Sequence, residues 1–297
     1  MSRINQKPFT PILPPVDKRP ASRYFGASSV EHLIRDQFTI STWLCLGAVA
    51  QGSLFLLFGR LALLPAMVVL LYRALDHYAM ATGWKRNIYM DDVLLKKFSA
   101  QFPTEEGEYG NKPAKDGVVV LHIGTRSNHP LGLLAPGFKQ TGEYFRQMAI
   151  DLDAHAEEFG YLGMSGYLNV NDRSSKSELL NIAYFRTTEG LHRFAHSEYH
   201  LSAWNWWNKT VGSHPHISIF HEIFEAPKGH WENIYINSHV SGINSTIHKV
   251  LNDEGQDTYT FPVVDASRRL LKTSAGRMSR SDAKEHDGLR DHDAYER

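Results

Sequence analysis

The sequence predicts an α+β fold: a ferredoxin-like domain that pairs with a second copy of itself, preceded by an N-terminal transmembrane helical hairpin. Three observations predict it. Two apolar runs lie between residues 39 and 81, and from Gly117 onward short apolar strands alternate with amphipathic helices in the order strand, helix, strand, strand, helix, strand. A single four-strand unit with helices on one face also needs a cover for its other face, and a second copy of the chain is the economical one. Composition narrows the chemistry. The 297 residues carry 32 Lys plus Arg against 32 Asp plus Glu, so no net charge draws the chain to nucleic acid. Cys45 is the only cysteine, which excludes disulfide frameworks, Cys-based zinc sites and iron–sulfur clusters.

Residues 1–37 read as a Pro-rich polar leader, with Pro8, Pro11, Pro14, Pro15 and Pro20. Thr39 to Phe58 carries no charge and is long enough as a helix to cross a hydrocarbon core of ~30 Å. It begins too late, and is followed by no small-residue cleavage pattern, to read as a cleaved signal peptide. The second run, Leu61 to Tyr72, contains Pro65 and stops at Arg73. It crosses only if Arg73 snorkels and the pass extends through Ala81 to Trp84, an interfacial aromatic. Residues 38–84 are therefore read as a hairpin; a monotopic hairpin, or one span with a buried amphipathic helix, is the alternative. Lys18, Arg19, Arg23 and Arg35 precede the hairpin and Lys85, Arg86, Lys96 and Lys97 follow it, while its turn has only Arg60. The positive-inside rule then predicts a multi-pass protein, of the endoplasmic reticulum membrane, with its soluble domain cytosolic. Two glycosylation sequons, at Asn208 and Asn244, report on that sidedness.

Residues 85–116 turn to Glu, Gly, Lys and Pro and read as a linker, and the working domain spans 117–237. Within it Val118 to Ile123 reads as a buried strand and Phe138 to Glu158 as a helix. Tyr161 to Leu168 and Leu179 to Phe185 are strands about a polar turn, Asn169 to Ser177. A second helix runs from Thr188 to about Asn208 with Thr187 or Thr188 near its N-cap, and Ile217 to Phe224 is the last strand. Residues 238–297 read as a polar, largely disordered tail.

Several separated blocks resemble a known group: Arg73-Ala74-Leu75-Asp76, Trp84-Lys85-Arg86-Asn87, Tyr89-Met90-Asp91, Ser99 to Pro103, Ile123 to Asn128, Tyr184-Phe185-Arg186, Trp204 to Trp207, His221-Glu222 and Tyr235-Ile236-Asn237. In this order they look like fungal membrane-anchored monooxygenases with antibiotic-biosynthesis-monooxygenase-like dimeric α+β barrels, a group that includes the fumagillin-pathway member. The resemblance covers about Leu61 to Asn237. It implies an oxidoreductase that uses O2 on a lipophilic, conjugated secondary metabolite, a polyketide or terpenoid. The wider fold also hosts haem enzymes, so haem stands as the alternative to no cofactor, and a non-catalytic membrane-anchored ligand-binding module as the alternative to an enzyme.

The candidate site is read from the second helix and the strand ends. His192, His196 and His200 recur every four residues along one slowly drifting stripe with Trp207, while Leu191, Phe194 and Leu201 lie nearly opposite. His200 and Trp204 sit near the boundary between the faces and are the better pocket residues. Trp204 and Trp207 offer surfaces for a planar substrate, and Asn205 offers a hydrogen bond to an enolate or peroxide oxygen. Arg126 and Asn128, just past the first strand, suit an anionic or carbonyl oxygen at the rim. His221, in the last strand, is a candidate base and carries the stronger resemblance. No metal is called for, since His-Glu-x-x-His is absent. Nor is there a Gly-x-Gly-x-x-Gly fingerprint, a Walker loop or Gly-x-Ser-x-Gly, so nicotinamide, flavin, nucleotide and serine-hydrolase readings gain no support.

Overall fold

A computed structural model describes residues 7–23, 34–35, 37–169 and 178–281. Helix α1 spans Ile40–Phe58 and is capped by the Thr39 hydroxyl, which accepts from the Thr42 N–H. It ends at Gly59, whose φ of +60° suits a residue without Cβ. A short 3₁₀ turn leads to helix α2, Leu64–Ala81, with Pro65 in its first turn, where no N–H is needed. The turn brings Gln51 back onto residue 62: Gln51 Nε2 donates to the Ala62 carbonyl at 2.9 Å. No residue of α1 is buried, as expected of an apolar helix lying outside the packed domain.

The domain beyond α2 is α+β and antiparallel. Strand β1 (Leu94–Ala100) precedes β2 (Val118–Ser127), α3 (Phe138–Ala154), the short α4 (Ala156–Phe159), β3 (Tyr161–Leu168) and β4 (Leu179–Phe185). Helices α5 (Thr188–Ala195) and α6 (Glu198–Thr210) then lead to β5 (Ile217–Ala226). The four-stranded sheet runs β3-β4-β2-β5, every neighbour antiparallel. The expected strand, helix, strand, strand, helix, strand order from residue 117 is thus observed. The first helix is interrupted at His155, and most of the polar turn expected at 169–177 lies outside the described residues.

Strand pairing sorts side chains to two faces, because directly opposed residues share a side and successive residues alternate. Val119 and Leu121 of β2, Met164 of β3, and Ala183 and Phe185 of β4 pack under Leu152, Phe159, Leu191 and Phe194 of the helices. Val118, Tyr184 and Ala226 point the other way. They meet Ala100, Phe102, Trp231, Ile243 and Tyr235.

That second cluster corrects the expected domain organisation. Beside a two-stranded sheet of β7 (His248–Leu251) and β8 (Asp257–Thr260), the chain does have a second, three-stranded sheet, in which β1 lies between β6 (Tyr235–Ser238) and β9 (Val263–Asp265). The expected linker supplies its central strand, since Phe98-Ser99-Ala100 are fully buried between two partners. The expected tail is folded through Ser281, held where Arg277 pairs with Glu232 at 2.6 Å and donates to the Leu271 carbonyl. The described part of the leader is woven in as well: Pro11 bridges Val264, Val16 bridges Tyr259, and Arg19 donates to the Tyr161 carbonyl at 3.2 Å. Polar composition misleads here because these segments are pinned by backbone and side-chain hydrogen bonds and not by apolar periodicity.

His248 lies at the centre of this appended layer, 1% exposed, its ring 4.6 Å from Phe102 and its Nε2 against the Thr246 hydroxyl. Burial, aided by the charges of Arg186, Arg19 and Lys115, holds its pKa well below the ordinary histidine value. The unfolded chain therefore binds the proton first, so this contribution to stability is complete above about pH 6.5 and declines as pH falls below it. Urea unfolding of the full chain should show stability dropping towards pH ~5 with a slope approaching one proton, ~1.4 kcal/mol per pH unit. His248→Gln, which cannot titrate, should flatten that slope; an unchanged slope in the folded variant would assign it to other groups.

Candidate functional site

The helices over the sheet are seated before they carry any chemistry. The Thr187 hydroxyl accepts from the Gly190 N–H at 3.0 Å, capping α5 as expected. Gly190 itself sits so close to the end of α4 that a Cβ there would stand 2.2 Å from the Phe159 carbonyl oxygen. Backbone thus rests on backbone, and α5 is fixed in height over the core.

The expected continuous helix breaks between His196 and Ser197, where the Ser197 hydroxyl turns back to the Phe194 carbonyl at 2.7 Å. The break changes the helical phase of α6 relative to α5. His192 and His196 are exposed, whereas His200, on α6, is half-buried. Leu191 and Phe194 reach the core as expected, but Leu201, beyond the break, is 40% exposed.

The His200 ring stands edge-on to Phe194 at 5.8 Å and lies roughly parallel to the Trp204 indole at 6.3 Å. Its Nδ1 is buried without a well-formed hydrogen bond. Burial lowers the imidazole pKa below its ordinary value; the Ala195 carbonyl opposes this, and His196 and His221 add to it. The ring is therefore neutral at neutral pH. His221 is opposite Ile123 in the ladder, which places it on the helix-facing side of β5. Ile219 and Ile223 share that side, 43% and 40% exposed, and the open strip that the three form, with His221 close enough to act on the charge of His200, is the candidate cleft. Trp207 is half-buried and packs with Leu133, Ala135 and Phe138 at the Ile217 end of that strip.

Other expected site residues lie elsewhere. Arg126 is opposite Ser218, on the far face of the sheet, where its guanidinium meets Glu178 at 3.4 Å. The Asn128 N–H extends the ladder to the His216 carbonyl at 2.7 Å, and its side chain is exposed outside the cleft. Asn205 stands about 200° around α6 from buried Ala203, on the exposed side of the helix. The structure therefore sets His200 beside Trp204 and within electrostatic reach of His221, packs Trp207 against Ile217, and leaves Arg126, Asn128 and Asn205 apart. Sequence reasoning missed Ile219 and Ile223, although their alternation with Ser218, Phe220 and Glu222 was the available signal. Among the described residues no group of three or more His, Cys, Asp or Glu side chains is arranged to hold a metal ion.

An antiparallel α+β domain behind an apolar helical segment, with an imidazole-and-indole cleft between helix and edge strand, is the class of protein these features define. The chain belongs to the af470-like monooxygenase family: the family model "Monooxygenase af470-like" matches residues 118–243. Monooxygenase af470 of Aspergillus fumigatus (strain ATCC MYA-4609 / CBS 101355 / FGSC A1100 / Af293) is 33% identical over 275 residues, 92% of this chain and 98% of that protein. The protein is accordingly a monooxygenase. Partly similar solved structures include the aldoxime dehydratase OxdRE, at 14% identity and TM-score 0.35 over 43% of this chain and 36% of that one. Another is SnoaB, a cofactor-independent oxygenase from Streptomyces nogalater, at 14% identity and TM-score 0.26 over 37% of this chain and 91% of that one.

Proposed function

We propose that this monooxygenase is anchored in a membrane and oxidises a lipophilic, conjugated secondary metabolite, a polyketide or terpenoid, with O2 and no dedicated cofactor. The observation that carries the reading is the neutral, half-buried His200 stacked beside an exposed Trp204, above the apolar floor of Ile219 and Ile223. The indole and floor suit a flat, apolar substrate. His200 takes a proton from an acidic carbon or phenol, with His221 across the cleft as the second imidazole. The resulting carbanion passes one electron to O2, and the radical pair recombines into a peroxide at carbon. Imidazolium returns the proton, and loss of water leaves a carbonyl, so that CH2 plus O2 gives C=O plus H2O. If haem serves instead, His200 is the imidazole the cleft would offer it.

Deleting the gene should cause one unoxidised lipophilic compound to accumulate. That compound should drive oxygen uptake by the purified protein without a Soret band; a Soret band would establish the haem alternative, and binding without uptake the non-catalytic one. His200→Ala should lower turnover by roughly 10²-fold, the usual worth of a general base. Near-normal turnover in that folded variant would move the base to His221, and normal turnover in His221→Ala as well would place the site elsewhere.

The membrane part of the proposal is a two-pass hairpin. A straight helix would separate residues 51 and 62 by ~16 Å along its axis, beyond the reach of a glutamine. The Gln51 to Ala62 hydrogen bond therefore supports a reversal at Gly59. Both flanks are basic, which supports a cytosolic domain on the endoplasmic reticulum. Asn244 adds to this, being fully buried with its Nδ2 directed at Asn233, so the fold has no room for a glycan there. Asn208 is exposed and remains a usable reporter. Endoglycosidase should leave the mobility of the protein unchanged on a gel, whereas a downward shift would put the domain in the lumen.

A homodimer completes the proposal. On the far face of the sheet Phe220 and Phe224 are 37% and 51% exposed beside the His122–Glu222 pair, an apolar area that the appended layer leaves open. Light scattering in detergent should report two copies per particle, and Phe224→Asp should shift it to one; a monomeric wild type removes the second copy from the account.

A further inference from the structure

We propose that the Leu131–Leu134 loop is a second membrane contact, lying on the phospholipid surface beside the start of α1, so that the cleft end near Trp207 opens at the bilayer. The inference rests on the membrane reading above and extends it from the helices to the soluble domain.

The loop is fastened to the chain just where the apolar helix begins. Gln37, 8% exposed, donates from Nε2 to the Leu131 carbonyl at 2.6 Å and accepts the Leu133 N–H at Oε1 at 2.9 Å. Gly132, at φ +56°, makes the room for it: a Cβ there would lie 2.5 Å from Gln37 Oε1. Two residues further on, Thr39 caps α1. Whatever depth the start of α1 occupies, the loop must share it, because a buried glutamine with both amide atoms bonded is a rigid tether.

The side chains left outside suit that depth. Leu131 is 53% exposed and Leu134 74%, although neighbouring Leu133 packs into the core with Trp207. On the helix side of the same tether, Phe38 and Trp43 are edge-on at 5.3 Å and part-exposed, and the Trp43 indole N–H donates to the Arg35 carbonyl. Aromatic rings with one polar edge satisfied settle at the headgroup level, and leucines on a bounded loop enter the acyl boundary beneath it. Just past α6, four residues beyond Trp207, Val211 is 44% exposed. A lipophilic substrate would then pass from lipid to the cleft along Val211 and Trp207 without crossing water.

The test uses the full chain in phosphatidylcholine vesicles carrying a nitroxide-labelled phospholipid, with an environment-sensitive fluorophore on a single cysteine. Native Cys45, exposed on α1, reports the helix itself. Leu134→Cys in a Cys45→Ser background reports the loop, and Asp253→Cys in the same background reports the exposed β7–β8 turn. Strong quenching at positions 45 and 134, several-fold above that at 253, is the expected result. Quenching at 45 with position 134 no different from 253 would overturn the loop contact and leave the anchor standing. Absence of quenching at 45 would overturn both.

Discussion

Strand β2 bonds to β4 on one side and β5 on the other along nearly its whole length, and this double pairing determines where every candidate group can act. With Ile123 set opposite His221, the even residues of β2 and β5 go to one face and the odd residues to the other. His221 is thereby committed to the helices, while His122, Arg126 and Glu222 are committed to the far side. A slip of one residue would exchange the sets. Two-sided burial at the strand ends prevents it, with Val119 and Phe185 under the helices and Val118 and Ala226 against the appended layer. Gly124 contributes as well, because Phe220 lies across it, its ring where a Cβ would stand. No other residue would let that ring down onto the strand.

The far face is divided, and the division bears on how the molecule is assembled. Toward β3, it is roofed by Phe102, Trp231 and Ile243, of which Phe102 precedes and Ile243 follows residues 117–237 in sequence. Toward β5, Phe220 and Phe224 remain open. A four-strand unit of this size is marginal if one whole face meets water, and here the chain relieves about half of the deficit by itself. What the chain leaves uncovered is therefore the β2–β5 half of the sheet only.

The strands and their order were legible because each is a short apolar run bounded by polar or glycine residues, and Tyr161–Leu168 and Leu179–Phe185 match the expectation residue for residue. The appended sheet was not. Leu94-Leu95-Lys96-Lys97-Phe98-Ser99-Ala100 has neither alternation nor continuity, and its burial comes from partners more than a hundred residues away. The site was partly legible. Helical spacing singled out His200 and Trp204 near the edge of the apolar face, but it also aligned His192 and His196 with them. Only the backbone break at Ser197, made by one hydroxyl turned onto the previous turn, separates these residues. Arg126 and Asn128 stand apart from His200 for another reason: proximity to a strand end says nothing about which face a side chain takes until register is known.

The candidate cleft and the apolar helical segment are coupled through one small cluster. Ala135 and Phe138 at the start of α3, Ile217 at the start of β5, Leu133 from the tethered loop and Trp207 from α6 pack together. The loop that Gln37 holds to the apolar helix is therefore part of the same packing unit that sets the height of α6 over β5. Because close-packed interiors transmit displacement and do not absorb it, the seat of α6 beside Ile217 depends on the loop, whereas the core under α5 belongs to a separate cluster. The core there is fixed independently, by Gly190 on Phe159 and by the Thr187 cap. The helix that carries His200 thus has one end set by the domain and the other by its attachment to the apolar segment, and the break at Ser197 is where the two constraints meet.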